Sequence, residues 1–485
     1  MPAPDPLIEM TIPQTKASSA EVTVIDNHAR WPVLLLICAA LVWLVGSGVL
    51  ALIAAIQLHS PAFFSDCAWF THGRMRAMSE TSFVYGWAAN AGLATALWIL
   101  GRLGGHPLRA LNWAVVGTAF WNLGVAAGVV GIASGDMTSF SLLQLPRYVQ
   151  PLLVLAYAAI AIAGVLAWSG RKRDGTFAAQ WYAVAALFLF PWLLTAAQVV
   201  LLWSPVRGVV QSIGAAWFAD GAYSLWLVPL ALAAAYYIVP KASGRALPSY
   251  EAAPLAFWLL IIVGTWTGGR HLVGGPVPAW VPTMAVVGYS MLLYHYVVVA
   301  LNLRVAFGAA GTAVKFVQFG LVAYLLGGLW AFAMAFRSVA MQVQFTFVTA
   351  AHEQLSLYGA VSMMFFGAIY FMVPRLTGRA WASGALVSGH LVAVMLGVLG
   401  SVAALALAGA VQSSMLADAK TPLPEILLQM RTPLLLHSAS QLLLLAASLL
   451  LLVNFCRTAC ACGEQPAVTS DNLFRRPAGM EGTVS

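Results

Sequence analysis

The residues able to do chemistry in this chain are few, and most sit inside apolar runs. Asp220 and Arg270 are ionisable side chains within long hydrophobic stretches. A charge there is costly unless paired, and it marks a functional candidate by default. His271 follows Arg270, and His352 is followed by Glu353 and Gln354. Neutral imidazole can bind a metal through one ring nitrogen while a partner orients the other. His352 therefore reads either as a ligand or as a buried histidine hydrogen-bonded within a helix bundle. His271 has the corresponding pair of readings, a ligand or a polar residue near a helix end. His295, His390 and His437 lie within apolar runs and read as packing or hydrogen-bonding residues. Cys38, Cys67, Cys456, Cys460 and Cys462 form no disulfide framework. The last three make a C-x3-C-x-C string, which reads either as a metal site or as free thiols at a membrane surface. No C-x-x-C-H occurs, so the chain attaches no c-type haem of its own. Phosphate-binding loops, catalytic triads and zinc signatures are also absent from the sequence.

Composition says what must position these side chains. The chain has 485 residues, 61% of them hydrophobic and 8% charged, whereas soluble domains carry about 25% charged residues. Most of it therefore faces lipid or other apolar helices, and the net charge of +8 is not a nucleic-acid signature. A spanning helix needs about 20 mostly apolar residues. Such runs lie near 31–58, 80–101, 110–133, 147–169, 179–203, 211–239, 252–273, 280–303, 313–336, 345–374, 382–411 and 432–455. The predicted fold is an all-α integral membrane bundle of about twelve transmembrane helices, since a helix satisfies its own backbone in lipid. Residues 1–30 are expected to form an N-terminal tail, 31–456 the membrane domain and 457–485 a C-terminal tail, with no second soluble domain. The first run, from Trp31 to Leu58, is too long for a signal peptide and is expected to remain as a helix. With twelve helices both termini share a side. That side holds sixteen of the 24 lysines and arginines against eight on the other, which places the termini in the cytoplasm.

Several strings resemble subunit I of cbb(3)-type haem-copper oxidases. G-R-M-R-A-M-S-E-T, from Gly73 to Thr81, leads into N-A-x-L-A-T at Asn90 to Thr95. The sixth run reads W-F-A-D-G and ends Y-Y-I-V-P-K at Tyr236 to Lys241. The seventh reads F-W-L-L-I-I-V-G-T-W-T-G-G-R-H-L from Phe257 to Leu272. The tenth reads A-H-E-Q-L from Ala351 to Leu355, then F-G-A-I-Y-F-M-V-P-R-L from Phe366 to Leu376. The resemblance covers roughly residues 60–380 and weakens beyond them.

It implies a six-histidine pattern. In the family, histidines on helices two and ten hold a low-spin haem, and another on helix ten holds the high-spin haem. One on helix six and two on helix seven hold copper, beside a tyrosine on helix seven. Carried over to this chain, Ser79 and Gln354 replace the two low-spin haem ligands, Asp220 and Arg270 replace two copper ligands, and Gly264 stands at the tyrosine position. His352 remains at the high-spin haem position and His271 at one copper position. An arginine cannot shed its proton and so cannot ligate a metal. The resemblance thus implies at most one haem b, on His352, and disfavours copper. If the fold is kept, Asp220 and Arg270 meet where copper would be, and an ion pair there is expected. Its alternative is an Arg270 that snorkels to the outer surface and leaves Asp220 protonated or wet. The space left by the low-spin haem is expected to be filled by Trp87 and Phe83, or by a haem or lipid.

Three functions follow. The leading one is a degenerate, non-catalytic paralogue of an enzyme of aerobic respiration and electron transport, assembled in the bacterial inner membrane with other respiratory subunits or a cytochrome c-type protein. The second is a single-haem redox or gas-sensing protein using His352. The third is a transporter that uses the former active-site cavity, lined by Asp220, Arg270 and Glu353.

Overall fold

The computed structural model describes residues 19–172 and 175–459. Among the described residues eleven helices are long and apolar enough to cross a membrane, and a bent pair brings the spans to twelve when it is counted as one. They are named here in chain order: α1 (Ser19–His59), α2 (His72–Gly104), α3 (Leu111–Ser134), α4 (Gln150–Ser169), α5 (Ala178–Trp203) and α6 (Val209–Ser243), then α7 (Tyr250–Val263 with Trp266–Leu272), α8 (Trp280–Gly308), α9 (Thr312–Ala335), α10 (Phe347–Thr377), α11 (Gly384–Leu416) and α12 (Leu423–Ala459). No strand occurs among the described residues. Cys460 and Cys462 lie outside the described residues, and Cys456 is an exposed free thiol.

Burial divides these helices into two classes. The apolar windows of α2, α6 and α10 are 94% buried, whereas those of the other eight continuous spans are 39–50% buried. Three inner helices are thus ringed by outer ones that give half their surface to lipid. The inner three meet directly: Trp98 of α2 packs edge-on against Tyr237 of α6 at 5.2 Å and Phe371 of α10 at 6.0 Å. Gly92 allows this approach, because a Cβ there would stand 2.7 Å from Leu230 of α6 and 3.0 Å from Phe365 of α10. The residues singled out from sequence on Ser79, Asp220, His352 and Gln354 all lie on these inner helices.

Each inner helix carries a π-helical stretch: Ser82–Ala88 in α2, Ala222–Leu227 in α6 and Leu355–Ser362 in α10. Each begins within three residues of Ser79, Asp220 or Gln354. Such bulges are rare and concentrate at functional sites.

Several helices start earlier than the sequence expectation, α2 at His72 and α12 at Leu423 among them, and two differences are instructive. α1 starts at Ser19, twelve residues before Trp31. Its polar first turns are held because Asp26, 6% exposed, accepts a hydrogen bond from Trp98 Nε1 (3.1 Å) and pairs with Arg102 Nε (3.2 Å). The expected continuous helix at 252–273 instead breaks after Val263 and turns by 46° into a 3-10 segment, Trp266–Leu272. The cause is local: Gly268 lies against the Ala216 carbonyl and Gly269 against the Val281 carbonyl, contacts that no side chain could make.

Candidate functional site

The bend in α7 decides where the site lies. It turns Thr267, Arg270 and His271 toward α6 just before the π stretch, where Asp220 sits with its carbonyl accepting from Ser224 Oγ (2.7 Å). Three groups converge on the Asp220 carboxylate. Arg270 Nη2 is 3.7 Å from Oδ1, His271 Nε2 is 3.3 Å from the same oxygen, and Thr267 Oγ1 is 2.9 Å from Oδ2. The Thr267 proton is shared with the Gly264 carbonyl at 2.6 Å. At 3.7 Å the guanidinium contact is electrostatic rather than a hydrogen bond. The Arg270 side chain is 10% exposed, so it points inward rather than to the outer surface, and its Cζ lies 6.0 Å from the Tyr289 ring. Its Nε is buried without a hydrogen-bond partner.

This cluster lines a cavity of about 490 Å³ that extends between α6, α8, α9 and α10. Tyr223, Tyr289, Tyr296 and Tyr324 form much of its apolar wall, and His352, Glu353 and Ser356 face it from α10. His352 is 5% exposed. Its Nε2 lies 3.0 Å from the Gly327 carbonyl and 3.4 Å from Ser356 Oγ, with Trp330 edge-on at 5.9 Å.

A second cavity, of about 230 Å³, lies between α1, α2, α10 and α12. Ser79 and Gln354 both line it. Ser79 Oγ donates to the Ser47 carbonyl at 3.2 Å, and Gln354 Nε2 is buried without a partner. Phe83 lines this space, stacked on Tyr358 at 5.3 Å, whereas Trp87 does not. Trp87 donates to Ser362 Oγ at 2.8 Å and packs on Phe366 at 5.0 Å, which commits its ring to the α2–α10 contact. The expected filling by Trp87 and Phe83 is therefore incomplete. The remaining space has polar walls, including His72, Arg76, Glu80, His437 and Gln441, so it can hold water.

The donor sets can be tested against the groups the resemblance implies. A serine hydroxyl spent on a backbone carbonyl and a primary amide do not make the axial pair of a low-spin haem, so Ser79 and Gln354 do not fit that group. Arg270 has no lone pair to give a copper ion. Among the described residues no three His, Cys, Asp or Glu side chains come together at metal-binding distances. His352 alone has a donor type that fits one axial bond, through Nδ1, which makes no hydrogen bond among the described residues.

The other histidines have protein partners. His295 Nδ1 bonds the Ala256 carbonyl (2.8 Å) and Nε2 the Tyr324 hydroxyl (2.7 Å). His390 pairs with Tyr370 OH (3.0 Å) and His437 with Ser401 Oγ (3.0 Å). Sequence reasoning missed Glu80 and the tyrosine wall. Glu80 lines both cavities and accepts from Gln144 Nε2 at 2.8 Å. Its signal was present, as a carboxylate beside Ser79 in a helix with little other charge. Tyr289 and Tyr296 stand seven residues apart, two turns along one face of α8.

Comparison with known proteins agrees with the architecture. The family model for "Cytochrome C and Quinol oxidase polypeptide I" matches residues 32–443. A cbb3-type cytochrome c oxidase subunit CcoN1 from Stutzerimonas stutzeri is 25% identical over 351 residues, covering 70% of this chain and 74% of that one. A cytochrome c oxidase subunit 1 homolog from Agrobacterium tumefaciens is 25% identical over 405 residues, covering 78% and 73%. A solved haem-copper terminal oxidase dimer superimposes with a TM-score of 0.73 at 15% identity, over 93% of this chain and 86% of that one, a likeness of fold. The match across most of the membrane domain and the shared fold make this chain a divergent member of the haem-copper oxidase subunit I family.

Proposed function

We propose that this protein keeps the subunit I scaffold without its oxygen chemistry, as a non-catalytic paralogue in a respiratory membrane. The observation that carries the reading is the Asp220 cluster. One carboxylate on α6 gathers Thr267, Arg270 and His271 from α7, all within 3.7 Å. By the resemblance, Asp220, Arg270 and His271 stand at the copper positions. In this reading an ion pair ties α6 to α7 there, and the chain cannot assemble the metal pair that oxygen reduction needs. Ser79 and Gln354 extend the same replacement to the low-spin haem. In the same proposal the protein spans a bacterial inner membrane with both termini in the cytoplasm. It acts as a structural or regulatory partner of other oxidase subunits or of a cytochrome c-type protein. Oxygen uptake tests this: membranes from a strain lacking other terminal oxidases, supplied with an artificial electron donor, are expected to show no uptake attributable to this chain. Cyanide-sensitive uptake that follows its expression would refute the reading.

A second reading rests on His352, whose free Nδ1 and position on the larger cavity suit one haem b, for electron transfer or gas sensing. That haem would supply redox chemistry or gas binding, and His352 would hold it. This reading expects a haem absorbance in the purified protein that His352→Ala abolishes.

A further inference from the structure

The two cavities share a wall, and one of its carboxylates has no partner. Glu80, Glu353 and Leu357 border both spaces. Around the larger one stand the carboxylates of Asp220, Glu80 and Glu353 and the guanidinium of Arg270; Arg76 borders the smaller one. Three carboxylates and two guanidiniums thus stand around the two spaces. Asp220 is satisfied by Arg270, His271 and Thr267. Glu80 is held by Gln144, and the charges that act on it are Arg76 and Glu353. Glu353 has no ion pair or hydrogen bond among the described residues, although it is exposed to both cavities. A carboxylate that faces a cavity without an ion-pair partner is a ready counter-ion for a cation.

The wall also says what kind of cation. No three His, Cys, Asp or Glu side chains meet among the described residues, so a transition-metal ion has no ligand set of those types here. Tyrosine faces do the complementary task for an organic cation, which they attract through the ring quadrupole. Arg270 already uses Tyr289 in this way, at 6.0 Å. Tyr296, 9% exposed, lines the same cavity, and its hydroxyl has no hydrogen-bond partner among the described residues. Its ring is seated against Gly328, where a Cβ would collide with it. An unpartnered Tyr296 hydroxyl and an unpaired Glu353 open on one cavity of about 490 Å³, a volume typical of small-molecule sites.

We propose that this cavity binds a small organic cation, a protonated amine whose ammonium group pairs with Glu353 and whose body lies against Tyr296 and Tyr289. The proposal rests on the reading that no haem fills the cavity.

The test uses the full-length protein in detergent and isothermal titration with three probes of one shape: phenethylammonium, phenethyl alcohol and 3-phenylpropionate. Haem is quantified in the same preparation. The proposal expects saturable binding of phenethylammonium, tighter than the alcohol by about tenfold, the worth of one charge-assisted contact. Glu353→Gln should erase that preference, Tyr296→Phe should weaken ammonium binding several-fold, and Glu425→Gln on the exposed face of α12 should change nothing. Equal affinity for the alcohol, preference for the carboxylate, survival of the preference in Glu353→Gln, or no saturable binding in haem-free protein would overturn it. Absence of binding in protein that carries haem would instead show that the underlying reading has failed.

Discussion

Two carboxylate–guanidinium pairs are buried among the described residues, and they differ in what surrounds them. Asp26 and Arg102 join α1 to α2 at 3.2 Å, with Trp98 Nε1 donating to the same oxygen and the Arg102 guanidinium over the Trp98 ring at 5.2 Å. Neither residue lines either cavity. Asp220 and Arg270 join α6 to α7 at 3.7 Å, similarly shielded, but they line the cavity of about 490 Å³. The first pair is enclosed by packing, so its worth is structural. The second is looser, shares its carboxylate with Thr267 and His271, and faces room for water or a ligand. The same two functional groups therefore act as a clamp in one place and as the lining of a site in the other.

That contrast can be broken in order of expected effect. Arg102→Met leaves Asp26 charged and enclosed, which should cost about 3–5 kcal/mol. Detergent unfolding should report it as a large loss of melting temperature. Arg270→Met should cost less, about 1–3 kcal/mol, because Thr267, His271 and cavity water still serve Asp220. Adding Asp220→Asn should recover most of that loss, and a double-mutant cycle on the same melting curves measures the coupling. Gly268→Ala sharpens the geometric side: the methyl would meet the Ala216 carbonyl, a clash worth about 1–3 kcal/mol. It should also push Arg270 away from Asp220, visible as greater access of a cysteine at position 271 to a water-soluble thiol reagent. Trp87→Phe removes one buried hydrogen bond to Ser362 and should cost about 1 kcal/mol, the smallest change of the four.

The helices were legible because each span is a run of apolar residues long enough to cross a membrane, a signal that survives without any knowledge of packing. The inner and outer classes were not, since α2, α6 and α10 differ from their neighbours in what covers them. The bend in α7 was written in Gly264, Gly268 and Gly269, but glycines in membrane helices are common, and only the neighbouring Ser224 side chain and the Ala216 and Val281 carbonyls explain these three. Asp220, Arg270, His271, His352 and Gln354 stood out as polar residues in apolar runs. Tyr223 of α6 did not, because which face of that helix turns inward depends on its π stretch, and the tyrosines of α8 and α9 read as ordinary members of apolar runs. A π stretch inserts one residue and rotates the following face by about 100°.

The central claim is that the metal positions have been converted to a charged, metal-free cluster. Haem and copper content of the purified protein, with a reduced-minus-oxidised spectrum, tests it most directly. The account predicts no copper and no low-spin haem signal, with at most one haem that disappears in His352→Ala. Two haems and one copper per chain would contradict it and restore the oxygen chemistry of the family.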